Sequence, residues 1–96
     1  MYRITNREFH SSDYGNEKYL KNWPMLYILE NGKEAYIGES TNVYERMNQH
    51  KANEEKVGFD TAHFIYSDEF NQSVTFDYES KLIQLFAADE KYTITN

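Results

Sequence analysis

The chain has no cysteine, and its 96 residues include one proline and four glycines. Without cysteine it can form neither a disulfide framework nor a thiolate metal site. The three histidines, His10, His50 and His63, are too scattered in the sequence for a zinc-binding signature. We therefore expect an apolar core to hold the fold, in a reducing compartment such as the cytoplasm.

Long apolar runs are also absent. No stretch approaches the roughly 20 apolar residues that a membrane-spanning helix needs, and residues 1–9 are too polar for a secretory signal peptide. A length of 96 residues fits one domain with a modest core. These features predict a cytoplasmic domain that has no membrane partner.

Positive charge is scarce, with ten Lys and Arg against sixteen Asp and Glu and a net charge of −6. Free-standing nucleic-acid binders are usually basic, because phosphate contacts supply most of their non-specific affinity. The composition argues against tight independent binding to DNA or RNA and leaves open a weak, metal-dependent site. The nine Tyr and six Phe predict a small core of few, large side chains.

The clearest fold signal is a β-hairpin. Residues 25–29 form a continuous apolar run of strand length, residues 35–37 form the return strand, and Asn31-Gly32 lies between them. Asn-Gly at this place predicts a type I′ turn, in which both central residues have positive φ. Gly38 is expected to end the second strand, where a bare backbone can turn sharply or approach a ligand.

A helix is predicted to follow the hairpin. Asn42 and Glu45 match a capping box, and Val43 and Met47 are spaced to face the core of a helix that ends near residues 50–52.

The second half of the chain predicts a loop over 53–60, a strand over 62–66 and a helix over 73–88. Residues 92–94 are expected to form a short strand or an extended segment. The apolar face of the last helix is predicted to contain Val74, Tyr78, Leu82, Leu85 and Phe86.

The predicted fold class is α/β (α+β), with a small three-stranded sheet made of the hairpin and one further strand. The element order is β-β-α-β-α over residues 24–96. Residues 1–23 are interpreted as an N-terminal extension with a short helix around residues 13–21.

Glu79 is the most informative polar residue of the last helix. On a helical wheel it falls between Phe86 and Ile83, inside the apolar arc. A carboxylate that points toward a core is costly unless it is paired, hydrogen-bonded or bound to a metal. The alternatives are a carboxylate that reaches solvent from the edge of the face, or one that pairs with a Lys or Arg.

Arg46 and His50 are four residues apart on the first helix, so they project together. The planar fork of Arg suits a phosphate, and His can act as a base near neutral pH. The alternative is a solvated Arg and a surface His near a helix C-terminus. Tyr27 and Tyr36 lie on the two hairpin strands, on the same or opposite faces according to register, and by themselves they are ordinary packing residues.

Taken together, these residues resemble the GIY-YIG nuclease family. The second half of its name motif is intact as Tyr36-Ile37-Gly38. The first half is present as Met25-Leu26-Tyr27, in which Met25 stands where the family has glycine and is expected to crowd the start of the strand.

The rest of the family pattern follows in order. Ser40 comes two residues after the motif glycine, Arg46 eight after it, and His50 four after Arg46. Glu79 matches the family's helical glutamate, and Asn96 is a candidate for its closing asparagine, although it lies farther past the glutamate than is usual. The resemblance covers about residues 24–96.

The resemblance implies an endonuclease that hydrolyses DNA phosphodiester bonds with one Mg²⁺ or Mn²⁺ ion. Glu79 would be the sole protein ligand of the metal, and Arg46 would clamp the scissile phosphate. Tyr27 would be the general base, with His50 as the neighbour that assists it. Tyr36 would orient the water or phosphate. Gly38, Ser40 and Asn96 would bind substrate or support the site.

The tail over residues 88–96 also resembles GIY-YIG domains at the N-terminus of larger bacterial proteins that carry a P-loop ATPase or helicase-like region. Such additional domains would supply the basic surface that this chain lacks. Two alternatives stay open: a catalytically weak or inactive module of the same fold that contacts nucleic acid or protein, and a tyrosine-rich structural domain without a site.

Overall fold

The structure is a computed structural model, which describes residues 2–10 and 18–96. The described residues form strands β1 (Tyr2–Glu8), β2 (Met25–Glu30), β3 (Glu34–Ser40), β4 (Thr61–Ser67) and β5 (Thr93–Ile94), and helices α1 (Val43–Lys51) and α2 (Gln72–Asp89). Short 3-10 turns occupy Lys18–Lys21 and Glu54–Lys56. The strands form one sheet in the order β1-β4-β2-β3-β5, antiparallel except for the parallel β3–β5 pair.

Strand β2 lies at the centre of the sheet, which explains its unbroken apolar sequence. Its residues 25–29 are all buried because the two faces of the sheet carry separate cores. Met25, Tyr27 and Leu29 belong to the core under α1, whereas Ile28 belongs to the core under α2. A strand covered on both faces reads as a continuous apolar run rather than an alternating one.

Helix α1 begins as the sequence predicts. The Asn42 side chain accepts a hydrogen bond from the Glu45 backbone N–H at 3.0 Å, and this contact caps the first turn. Val43 and Met47 are fully buried against the sheet. The capping pattern and the i, i+4 apolar pair therefore confirm the predicted helix.

The three-stranded sheet was a wrong prediction, because the described residues form five strands. Within the predicted N-terminal extension, Tyr2–Glu8 is strand β1, which pairs with β4 along its whole length. As an edge strand it is largely exposed on both faces, so its sequence shows no apolar alternation. Of the short helix predicted around residues 13–21, the described part is the 3-10 turn Lys18–Lys21, and residues 11–17 lie outside the described residues.

The hairpin is confirmed, but its type I′ turn is not. Gly32 has φ of 87°, and within the described residues Glu90 is the only non-glycine residue with positive φ. The Asn31 side-chain oxygen instead accepts hydrogen bonds from the backbone N–H groups of Lys33 and Glu34, at 3.0 and 2.7 Å. This side-chain contact replaces the second positive φ that a type I′ turn would require.

Helix α2 packs its Leu82, Ile83 and Phe86 against β2 and β3. The predicted apolar face is wrong at Leu85, which is 64% exposed. The helix packs on β2, β3 and β5 and not on β4 or β1, so Leu85 lines an open groove on the β4–β1 side, together with Ile65 and Tyr2. No helix in the described part of the chain is long and apolar enough to cross a bilayer.

Candidate active site

The hairpin register places both motif tyrosines on the α1 face of the sheet. Tyr27 pairs with Gly38 and Leu29 pairs with Tyr36, so the two tyrosines are diagonal neighbours. Their ring centroids are 6.2 Å apart with an interplanar angle of 28°. The question of same or opposite faces, which the sequence leaves open, is therefore answered by the register.

Gly38 does not end the strand, as the sequence suggested, but lies inside β3 directly beneath the Tyr27 ring. A Cβ atom at this position would lie 2.3 Å from both Cζ and the hydroxyl oxygen of Tyr27. No real Cβ makes contacts this short, so the glycine creates the space in which the buried tyrosine lies across the strand.

His50 lies in the last turn of α1, over the two tyrosines. Its Nε2 is 2.8 Å from the Tyr27 hydroxyl, and its ring is 5.2 Å from the Tyr36 ring. Burial, together with the nearby positive charges of Lys56 and Arg46, lowers the pKa of His50 to about 4. At neutral pH the imidazole is therefore uncharged, and Nε2 can accept the hydroxyl proton of Tyr27.

The Tyr27 hydroxyl lies between His50 and Arg46. Burial raises the pKa of Tyr27 well above 10, and Tyr36 adds to the rise, while the charge and hydrogen bond of Arg46 oppose it. At neutral pH the side chain is thus a phenol that donates to His50 and accepts from the Arg46 guanidinium. Arg46 and His50 are one helical turn apart, so both reach the same oxygen.

Ser40 connects the motif strand to α1. It is buried at the end of β3, and its Oγ accepts a hydrogen bond from the Asn42 backbone N–H at 3.0 Å. This contact fixes the turn that precedes α1 and therefore the position of Arg46. Ser40 has a supporting place in the geometry rather than a contact with the Tyr27 hydroxyl.

Asn96 holds the outer edge of β3. Strand β5 pairs with β3 at Glu34 and Ala35, and the Asn96 side chain then accepts from the Ile37 N–H at 3.0 Å and donates to the Ile37 carbonyl. The side chain thus continues the ladder beyond β5. It fixes the backbone between Tyr36 and Gly38 from the edge opposite β2.

Glu79 continues this edge from helix α2. Its carboxylate accepts a hydrogen bond from the Glu39 backbone, at the next outward-facing position after Ile37. Burial and then the Glu39 carboxylate raise the pKa of Glu79, while Arg46 opposes the rise. The half-buried carboxylate therefore lies beside the outer edge of β3, next to Glu39, and close enough to Arg46 for their charges to interact.

The positive and the negative side chains of the site lie in different places. Arg46 and Lys56 surround the tyrosines and His50 on the α1 face, whereas Glu39 and Glu79 lie at the strand edge toward α2. Such an arrangement can bind an anion beside a cation. Among residues 2–10 and 18–96, no group of three or more His, Cys, Asp or Glu side chains is placed to hold a metal.

The family model of the GIY-YIG catalytic domain matches residues 23–93. The chain belongs to the GIY-YIG family. Searches among curated proteins and among solved structures gave no significant match. Asn96 lies just outside the matched GIY-YIG region.

The GIY-YIG fold brings Tyr27, Tyr36, Arg46 and His50 into one cluster and places Glu79 across the strand edge from Arg46. The expected crowding by Met25, which stands in place of the family glycine, is absorbed by the core. Met25 is fully buried there, and Tyr27 still reaches His50.

Two charged neighbours of the site were missed by sequence reasoning. Glu39 directly follows the motif glycine, so its position was available as a signal. Lys56 lies in a charged loop, and nothing in the sequence indicates that it, rather than the other charged residues of that loop, lies at the site. In the structure its ammonium group lies 3.9 Å from the centroid of the Tyr36 ring.

Proposed function

We propose that this chain is a Mg²⁺- or Mn²⁺-dependent endonuclease domain that hydrolyses DNA phosphodiester bonds with one metal ion. Membership in the GIY-YIG family implies a nuclease-type function in general. One observation supports the finer proposal: the Tyr27 hydroxyl contacts both His50 and Arg46, and Glu79 lies within the electrostatic reach of both Arg46 and Tyr27.

The proton of the attacking water would pass to Tyr27. A phenol with a raised pKa is a poor base by itself, so its own proton must leave as it accepts one from water. The neutral His50 Nε2, 2.8 Å away, is placed to take that proton. The pair can thus accept a proton without forming a stable phenolate in a buried place.

Arg46 would bind the scissile phosphate while it also contacts the Tyr27 oxygen. Its fork has several donors, so one N–H can hold the phenol while others bind phosphate oxygens. The scissile phosphate and the general base Tyr27 would then both be positioned by the same side chain of α1. Tyr36, stacked beside Tyr27, would orient the water or the phosphate by its hydroxyl.

The Glu79 carboxylate fits the role of a metal ligand. It is half-buried, its pKa is raised in part by a second carboxylate, and no ion pair to it is found among the described residues. A bound divalent cation would relieve this excess of negative charge, and Mg²⁺ commonly has few protein ligands. When bound, the metal would stabilise the charge that develops on the phosphate and the leaving oxygen.

The net charge of −6 supports a further part of the proposal, namely that additional domains bring DNA to the site. The isolated chain is expected to bind DNA weakly and to cleave it slowly.

The test is cleavage of a labelled DNA duplex with Mg²⁺, Mn²⁺ or EDTA. Slow cleavage that requires the metal is expected for the parent chain. Glu79→Gln and Arg46→Ala should each reduce the rate on the order of 100-fold or more. Asp77→Asn is the matched control, because Asp77 is an exposed carboxylate on the same helix that pairs with Lys81. Cleavage by Glu79→Gln at the parent rate would refute the proposal.

A non-catalytic module of the same fold is the second candidate, and the acidic net charge favours it. It predicts no cleavage with any metal and a binding activity that survives Glu79→Gln. Metal-dependent cleavage that is lost in both Glu79→Gln and Arg46→Ala would exclude it.

A further inference from the structure

Lys56 extends the site beyond the residues of the family motif. Its Nζ lies 3.9 Å from the centroid of the Tyr36 ring, close enough for a cation–π contact. Its charge also acts on His50, as does that of Arg46. The aromatic cluster is therefore flanked by two cations, with Arg46 at the Tyr27 hydroxyl and Lys56 on the Tyr36 ring.

The backbone of Lys56 is fixed on both sides. Its N–H donates to the Asn53 carbonyl at 2.9 Å, and its carbonyl accepts from the Phe59 N–H at 3.2 Å. Phe59 is buried in the core under α1. The Lys56 side chain therefore extends from a turn whose backbone is held by hydrogen bonds, and it has a defined position over the Tyr36 ring.

The ammonium group of Lys56 has donors available for an anion. Within residues 2–10 and 18–96, the ion pairs that involve a lysine do not include Lys56. A lysine ammonium has three N–H donors, and contact with a ring face leaves donors that can bind a phosphate oxygen.

We propose that Lys56 binds the backbone phosphate next to the scissile one, so that the nucleic-acid strand lies across Tyr36 between Lys56 and Arg46. This inference rests on the proposed function. Arg46 contacts the Tyr27 hydroxyl and so belongs with the scissile phosphate, whereas Lys56 lies on the ring of the other tyrosine, Tyr36. Lys56 is therefore a substrate-positioning residue whose loss weakens binding more than chemistry.

The experiment measures binding and cleavage of one labelled DNA duplex by the same set of proteins. Binding is followed by fluorescence anisotropy in EDTA over a range of low NaCl concentrations, and cleavage gives KM and kcat in Mg²⁺. The variants are Lys56→Ala and Lys56→Arg. Lys91→Ala is the matched control, because Lys91 also lies over a tyrosine ring, that of Tyr92, on the α2 face.

Lys56→Ala should raise Kd and KM about 3- to 10-fold, leave kcat within about twofold, and reduce the slope of log K against log salt by about 0.7 to 0.9. Lys56→Arg should keep the parent slope, and Lys91→Ala should match the parent throughout. A Lys56→Ala variant with the parent slope and KM would overturn the inference, as would a loss confined to kcat. Either of these outcomes for Lys56→Ala leaves the proposed function intact, provided that the parent cleaves DNA and needs Glu79 to do so. A parent that neither binds nor cleaves DNA would refute both proposals.

Discussion

The Tyr27 hydroxyl and His50 Nε2 are 2.8 Å apart, although the two residues are 23 positions apart in the chain and lie on a strand and a helix. Burial acts on the two groups in opposite senses, raising the pKa of the phenol and lowering that of the imidazole. Both groups are therefore neutral over a wide pH range, with the proton on oxygen and an acceptor nitrogen facing it. Such a pair can pass a proton inward without either group being charged at rest.

Tyr27→Phe should reduce kcat on the order of 100-fold to 10,000-fold, because it removes the group that accepts the water proton. The ring still fills the space over Gly38, so the fold should be retained. The buried His50 Nε2 loses its donor, which should cost about 1–2 kcal/mol of unfolding free energy. Tyr44→Phe, on the same helix as His50, should keep the parent kcat. Equal kcat for Tyr27→Phe and the parent would remove Tyr27 from the reaction.

The stability of the chain should fall as the pH drops from 6.5 to 4, because of His50. The pKa of His50 is about 4 in the folded chain and has its ordinary value of 6.5 in the unfolded chain. Between these pH values His50 is therefore protonated in the unfolded chain and neutral in the folded chain. The stabilisation is complete above pH 6.5 and is lost by pH 4, for a total of roughly 3 kcal/mol. Denaturant unfolding at several pH values should show this loss in the parent and not in His50→Gln. The same pH dependence in both proteins would contradict the assignment.

The sequence predicts best those elements whose neighbours are close in the chain. The hairpin over residues 25–37 and the capped start of α1 depend on local contacts, such as the Asn42–Glu45 bond, and both are present. Strand β1 was missed because its order comes from pairing with β4, about 60 residues later, while its own side chains are exposed. Leu85 was misplaced because a helical wheel does not reveal which strands of the sheet the helix packs against.

The same distinction applies to the site. The spacing of Gly38, Arg46 and His50 is local and visible in the sequence. The proximity of Glu39 to Glu79, and of Lys56 to Tyr36, joins elements that are distant in the chain, so neither contact follows from spacing. The neutral state of His50 likewise depends on tertiary burial, which no helical pattern reveals.

Gly38→Ala should disrupt both stability and activity. The new methyl group would lie 2.3 Å from the buried end of the Tyr27 ring, which is held by His50 and Arg46 and cannot move without breaking those contacts. Overpacking of this kind costs about 1–3 kcal/mol. Gly58→Ala is the matched control, because nothing lies within 4 Å of a Cβ added there. Thermal unfolding and cleavage should both be impaired in the first variant and near the parent values in the second; equal behaviour of the two would show that the Tyr27 ring yields easily.

Glu79 provides a test of the metal that does not depend on cleavage. The raised pKa means that the folded chain favours the protonated carboxyl, so ionised Glu79 destabilises the metal-free fold above its folded pKa. Without metal, Glu79→Gln should therefore unfold at a higher temperature than the parent at pH 7, and the difference should shrink as the pH falls through the raised pKa of Glu79 and be gone below its ordinary value of 4.5.

Mg²⁺ or Mn²⁺ should act in the opposite direction, because a ligand that binds only the folded state stabilises it. Millimolar metal should raise the Tm of the parent and of Asp77→Asn, which loses only an exposed carboxylate that pairs with Lys81. Glu79→Gln should show little or no metal-dependent shift. An equal metal-dependent rise in Tm in all three proteins would mean that the metal binds at another place. If none of the three shows a rise in Tm even at a metal concentration on the order of 10 mM, Glu79 binds no metal ion in the absence of DNA.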